Sequence, residues 1–206
     1  ATTAYVEQYD GLLTQVLSGE ARFQGARRVR NLAIRVNPST WTRSTQLTVT
    51  AGVSDPDGGT GAYTLTSTGA NQTQQDDFVS IPGHIYRASY WVRRRTGTGV
   101  IRFSTGDAGD VDNAAYQVLT SSWQRLAMAV STVSGGATGV IGIATVTSGD
   151  AIDIYKVQYE DITGQSNQAP AEWVNPSIDH GSGSNYVQYF DTLNGNTVAS
   201  NVVTEA

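Results

Sequence analysis

Cysteine is absent from the 206 residues. Thiol catalysis, disulfide staples and thiolate metal sites are excluded together, and the redox compartment cannot be read. Lysine occurs once, as Lys156, and methionine once, as Met128. Charged residues make up only 15% of the chain, so its polarity comes from Thr, Ser, Asn, Gln and 22 glycines more than from ions. A net charge of -5 argues against a nucleic-acid partner, whose phosphates would favour a basic face. No apolar run approaches the roughly 20 residues needed to cross a bilayer. The start, Ala1-Thr2-Thr3-Ala4, lacks a charged stretch leading into an apolar one, so no membrane partner is expected. With no initiator Met, Ala1 is expected to follow processing or to begin a fragment of something longer.

What is present suits strands. Val, Ile, Thr and Tyr outnumber Leu, and branched or aromatic side chains fit a pleated, half-buried surface. In Ile85-Tyr86-Arg87-Ala88-Ser89-Tyr90-Trp91-Val92-Arg93, alternation puts Tyr86, Ala88, Tyr90 and Val92 on one face and Arg87, Ser89, Trp91 and Arg93 on the other. Thr96-Gly97-Thr98-Gly99 is then expected to turn the chain into Val100 to Phe103 as a hairpin. Further strands are expected at 115–119, 123–133, 140–146 and 151–159, with the five prolines in loops. Many short strands without an amphipathic helix indicate an all-β jelly-roll β-sandwich.

The ends differ from this body. Tyr5 to Ala21 reads as a hairpin around Asp10-Gly11, and Tyr186 to Leu193 repeats the Tyr, Val, aromatic, Asp and Leu of Tyr5 to Leu12 in register. Residues 163–170 read as an exit loop and 179–184 as a linker. The expected division is an N-terminal attachment segment at 1–25, a sandwich at 26–176, and a linker with a C-terminal attachment segment at 177–206.

Chemistry-bearing motifs are sparse. The two histidines are His84, beside a Pro-Gly turn, and His180, in the linker. There is no G-x-S-x-G elbow and no H-E-x-x-H pair. Asp153, Glu160 and Asp161 are the candidates for paired carboxylates, and their expected role is as solvated strand or edge charges. Asp55 to Gly59 and Asp107 to Asn113 have carboxylates at spacings calcium could use, but neither matches an EF-hand loop, and both read as turns. Gly58 to Gly61 and Ser134 to Ala137 lack the Lys and the helix of a phosphate cradle. Arg22, Arg27, Arg28 and Arg30 form one basic cluster and Arg93, Arg94 and Arg95 another, suited either to planar hydrogen bonding at an interface or to a solubilising strand edge. No catalytic residue, cofactor or metal is expected.

From Ala26-Arg27-Arg28-Val29-Arg30-Asn31-Leu32 and Trp41, through Gly61 to Leu65, Ile81-Pro82-Gly83-His84-Ile85-Tyr86, Ser89 to Arg93 and Trp123 to Leu126, to Gly149-Asp150-Ala151-Ile152 and Val157 to Glu160, the chain resembles domains of tailed-bacteriophage virion proteins with a carbohydrate-binding-module-like jelly roll. Tyr189 to Val198 is similar to short phage fibre and head-decoration segments. The resemblance implies a non-enzymatic virion component, on a tail fibre or as capsid decoration, serving assembly, stabilisation or host attachment. A carbohydrate-binding adhesin is the alternative, and a polysaccharide-degrading enzyme a further one. Implied partners are a homo-oligomer, with a trimer favoured, other virion proteins and cell-surface glycans. Related modules hold a structural calcium at an Asp-Asp pair in the closing strand, where this chain has Tyr155 and Lys156.

Stacking on a pyranose needs an exposed aromatic face with polar groups beside it. Trp91 fits, with Arg87 and Arg93 on its face and Arg102 on what is expected to be the partner strand. Packing of Trp91 against an oligomer neighbour or a covering loop is the competing reading. Trp41, Trp123 and Trp173 read as core or rim packing.

Overall fold

The computed structural model describes the backbone of residues 4–7, 13–16, 26–29, 31–33, 37–43, 45–69, 72–79, 81–107, 110–128, 131–132, 138–145, 147–165, 168–174, 185–191 and 199–205. Side chains are described within 31–33, 37–43, 45–69, 81–102, 117–128, 147–165 and 168–174. In chain order the strands are β1 (Ala4–Glu7), β2 (Leu13–Val16), β3 (Ala26–Val29), β4 (Thr42–Arg43), β5 (Leu47–Val53), β6 (Ala62–Ser67), β7 (Gln72–Val79), β8 (Ile85–Thr96), β9 (Ile101–Asp107), β10 (Asp110–Gln117), β11 (Gln124–Ala127), β12 (Ser131–Thr132), β13 (Thr138–Thr145), β14 (Ala151–Asp161), β15 (Asn185–Asp191) and β16 (Ala199–Glu205). A 3-10 turn, Pro38–Thr40, precedes β4.

Contacts divide the chain into one unit of residues 1–31 with 174–206 and another of residues 32–173. Within the first unit, β1 pairs antiparallel with β2, and β15 pairs antiparallel with both β16 and β3. The similar end segments, Tyr5-Val6 and Tyr186-Val187, thus each lie on the first strand of an antiparallel pair. Asp10 and Gly11, His180 and the linker at 179–184 lie outside the described residues.

The second unit is a jelly-roll sandwich. One sheet has the order β10-β9-β13-β7-β4 and the other β11-β8-β14-β6-β5, with β12 also pairing β8. Strands adjacent in sequence repeatedly fall in different sheets, as Greek-key connections require. On β8, Tyr86, Ala88, Tyr90 and Val92 are at most 3% exposed, so the face expected to be apolar is the core face. Ile152, Ile154, Val157 and Tyr159 of β14, Leu65 of β6 and Leu47 of β5 join them, and Ile101 of β9 reaches the same cluster from the other sheet. Each such large side chain contributes about 1.5–3 kcal/mol by leaving water. Trp41 belongs to this core.

The hairpin expected after Thr96 is not formed. β8 and β9 lie in different sheets, and Gly97 to Val100 carries the chain across. The reason sits about fifty residues further along the sequence, at Asp150, which is buried and accepts the amide of Gly99 at 3.3 Å. Arg94 donates to the carbonyls of Leu119 and Gly99 and stands 3.6 Å from the same carboxylate. A Cβ at Gly97 would come within 1.8 Å of Asp150 Oδ1, and one at Gly99 within 2.1 Å of Oδ2. Glycine therefore permits the close approach, and the glycines that resemble a turn signal serve a crossover.

Candidate functional site

The outer face of the six-stranded sheet gathers the unusual side chains. Trp91 on β8 stands opposite Arg125 of β11 on one flank and Tyr155 of β14 on the other. The next row pairs Arg93 with Asp153, and Asp153 with Thr64 of β6. In the other direction Ser89 stands opposite Gln158, and Arg87 opposite Glu160. Tyr155 and Gln158 both face outward although three residues apart, because the register shifts between them and Lys156 takes up the extra residue with φ +48°. Such a bulge re-aims side chains, and a non-glycine residue at positive φ marks strain held by its surroundings.

One half of this face is closed. Residues 168–173 cross it as a strap, and Glu160, 2% exposed, accepts the amide of Ala171 at 3.0 Å and the Gln158 amide at 2.9 Å. Gln158 also donates to the carbonyl of Glu172 at 3.0 Å, and Arg125 donates to the carbonyl of Ala171 and to Ser89 Oγ. Ser89, expected among the wet residues, is therefore 1% exposed. Part of the expected exit loop is thus a fixed cover.

The other half is open. Arg93 and Arg95 each donate Nε–H to one oxygen of Asp153 at 2.7 Å, and Thr64 donates to the same carboxylate at 2.6 Å. Burial pushes the Asp153 carboxyl up, yet the donors from Arg95, Thr64 and Arg93 outweigh it and hold it below its ordinary value. Asp153 and Glu160 are thus buried and partnered, which corrects the expectation of solvated edge charges. Arg93 also lies over the ring of Trp123 at 4.7 Å, a cation–π contact. Beside Tyr155, Lys156 Nζ contacts Asp57 Oδ2 at 2.5 Å and lies 5.2 Å from the rings of both Tyr155 and Trp173. Burial and the hydrogen bond to Asp57 push the Tyr155 hydroxyl up to about 12.

Trp91 and Arg93 share the open half and are partly exposed. Arg87 is on the same face toward the closed half, and its Nε has no acceptor among the described residues. Arg102 is not brought to them, since it follows Ile101 on β9 in the other sheet. Trp123 and Trp173, read as packing residues, are partly exposed members of the open face. Alternation through Trp123, Arg125 and Ala127 could have found the first, whereas no sequence signal marks the second.

The calcium position implied by the resemblance does not fit a metal. Lys156 already places its ammonium on Asp57, and Asp55 spends its oxygens on the amides of Asp57, Gly59 and Gly61. Among the described residues no group of three or more His, Asp or Glu could hold a metal ion. The Asp55 loop is the turn its residues suggest. His84, beside its Pro-Gly turn, pairs with Asp161 at 2.6 Å. Asp107 to Asn113, Ser134 to Ala137 and the N-terminal arginine cluster have no described side chains.

No protein-family model matches the sequence, and no curated protein is similar to it. Among solved structures, the CBM22-1 xylan-binding domain of Paenibacillus barcinonensis Xyn10C aligns with TM-score 0.52 at 13% identity, covering 68% of this chain and 98% of that one. TmCBM61, solved with β-1,4-galactotriose, aligns with TM-score 0.49 at 17% identity over 64% of this chain and 99% of that one. The enzymatically active domain of bacteriophage CBA120 tailspike protein 4 aligns with TM-score 0.44 at 20% identity over 60% of this chain, which spans only 20% of the tailspike chain. The first of these alignments places the fold with carbohydrate-binding-module jelly rolls.

Proposed function

We propose that this chain binds carbohydrate without cleaving it, through the open half of the six-stranded sheet's outer face. The observation that carries the reading is the placement of Trp91, Trp123, Tyr155 and Trp173 on that face, partly exposed, although the same sheet has an apolar core face that could have taken them. Aromatic rings offer flat apolar surface to the C–H face of a pyranose, and the adjoining Arg93, Arg95, Lys156 and Asp57 supply groups to fix hydroxyls. The likeness of fold to a xylan-binding module agrees with this reading. The partners of Asp153 and Glu160, which occupy both carboxylates with internal donors, favour binding over hydrolysis. In a glycan-array screen followed by calorimetry, Trp91→Ala is expected to weaken saccharide binding about tenfold or more, the loss of one stacking platform. Unchanged affinity in a folded Trp91→Ala protein would remove the site from this face.

A second reading makes the sandwich a structural module of a phage virion, with glycan binding serving attachment. It draws on the sequence resemblance and on one observation, that strands near both ends of the chain, β3 and β15, pair in a sheet apart from the sandwich. Such terminal strands are natural places for exchange between copies in a closed oligomer. Native mass by light scattering tests it: a closed trimer is expected, and a monomer at all concentrations would leave the binding module alone.

A further inference from the structure

Arg93 and Arg95 are adjacent outward positions on β8, and both bind the same carboxylate. Asp153 is 1% exposed, while the two arginine side chains are 24% and 42% exposed. Each guanidinium spends its Nε–H on this inner anchor, and only one further donor, Arg93 Nη2, meets a protein acceptor among the described residues, Ser54 Oγ at 3.3 Å. Two positive charges thus share one negative charge, with planar donor edges left over at the surface. The ring of Trp123 lies against Arg93, and Trp91 is two residues away on the same face.

We propose that this pair selects an acidic saccharide, its forks taking the carboxylate of a uronic acid residue while the adjoining rings stack on the sugar. The proposal rests on the glycan-binding reading above and narrows it. Guanidinium presents parallel donors matched to a planar carboxylate, and a neutral hydroxyl cannot use both. The buried Asp153 holds the two side chains in place, so little ordering is left for the ligand to supply. Nearby charges do not cancel the pair: Lys156 is bonded to Asp57, and the Asp55 carboxylate is turned onto backbone amides. Because the whole chain carries -5, the attraction is local and is expected at close contact, not through long-range steering.

The test uses the full chain on immobilised galacturonate, glucuronate and mannuronate oligomers, each beside its carboxyl-reduced counterpart, with affinities then measured by calorimetry. At least one acidic oligomer is expected to bind about tenfold tighter than its reduced form, as a charge-assisted bidentate contact should give. Arg95→Gln is expected to erase that preference, so that on the variant the acidic oligomer binds no tighter than its reduced form, the acidic form having lost about tenfold and the reduced form much less. Should Arg95→Gln not fold, Arg95→Lys keeps the charge without the fork and is expected to lose most of the preference. Equal binding of acidic and reduced forms, both weakened by Trp91→Ala, overturns the acid preference but leaves the glycan reading standing. Binding to none of the oligomers, acidic or reduced, overturns both.

Discussion

Glu160 and Asp153 lie on the same strand and the same face, both almost fully buried, yet their surroundings differ. Glu160 is closed in by the strap at 168–173, whose Ala171 amide it accepts, and its neighbours Gln158 and Ser89 are buried with it. Asp153 has no such cover; the side chains over it are arginines whose outer ends reach solvent. The contrast separates two uses of buried charge. In the closed half a carboxylate holds the chain to itself, and in the open half a carboxylate holds side chains toward solvent.

The sharpest way to break this contrast is Glu160→Ala. It removes the acceptor of Ala171 N–H and of Gln158, and a negative charge beside the half-buried Arg125. Unfolding in urea is expected to show a loss of about 3 kcal/mol or more, the usual cost of leaving a buried partner uncompensated. Saccharide binding to the folded fraction should fall far less than in Trp91→Ala, because Trp173 keeps its Nε1–H on the carbonyl of Val157 and its contact with Lys156. A loss of binding as large as that of Trp91→Ala, with stability unchanged, would mean that the Glu160 carboxylate serves the ligand and not the strap.

Asp153→Asn comes next, at about 2 kcal/mol, because the freed arginine side chains are 24% and 42% exposed and can turn to water. It also carries a pH signature. Folding lowers the Asp153 carboxyl below its ordinary 3.8, so its contribution is complete above that value and is lost as pH falls through the lower folded-state value. Stability of the parent chain should therefore decline below pH 3.8, with Asp55, Asp57 and Asp161 adding to the slope, since each is lowered as well. The Asn variant should show a shallower decline in acid titrations followed by circular dichroism, and an identical slope would place the burden on the other carboxyls.

A smaller effect separates strain from pairing at the bulge. Lys156→Ala and Lys156→Gly both lose the contact to Asp57, but only alanine retains a Cβ at φ +48°. Glycine should be the more stable of the two by about 1 kcal/mol in thermal unfolding. Equal stabilities would mean that the backbone relaxes once the ammonium is gone.

What could be read in the sequence depended on how far each signal reached. The β8 alternation was legible because its core face is set by neighbours two residues away, and Tyr86, Ala88, Tyr90 and Val92 follow it without exception. Ser89 departed from the pattern because a strap about eighty residues later closes over it together with Arg125. The link after Thr96 failed for a similar reason. Thr-Gly-Thr-Gly is compatible with a hairpin turn or with a crossover, and Asp150 decides between them. Within the site, Trp91 and Arg93 were legible as strand positions. Trp173, on no strand, joins them through Lys156, which owes its own position to the bulge.

Trp123→Ala has the smallest expected effect on folding and gives the clearest view of the open half. Its ring lies against Arg93 but forms no part of the buried core cluster, so removal should cost about 0.5–1 kcal/mol, the range of an exposed cation–π contact. Arg93 keeps its anchor on Asp153, so the charge stays in place while the flat surface is lost. If the open half is a binding face, saccharide affinity in calorimetry should fall by more than this small loss in stability. A stability loss of several kcal/mol would instead make Trp123 a packing residue like Trp41 and shrink the open face to Trp91, Tyr155 and Trp173.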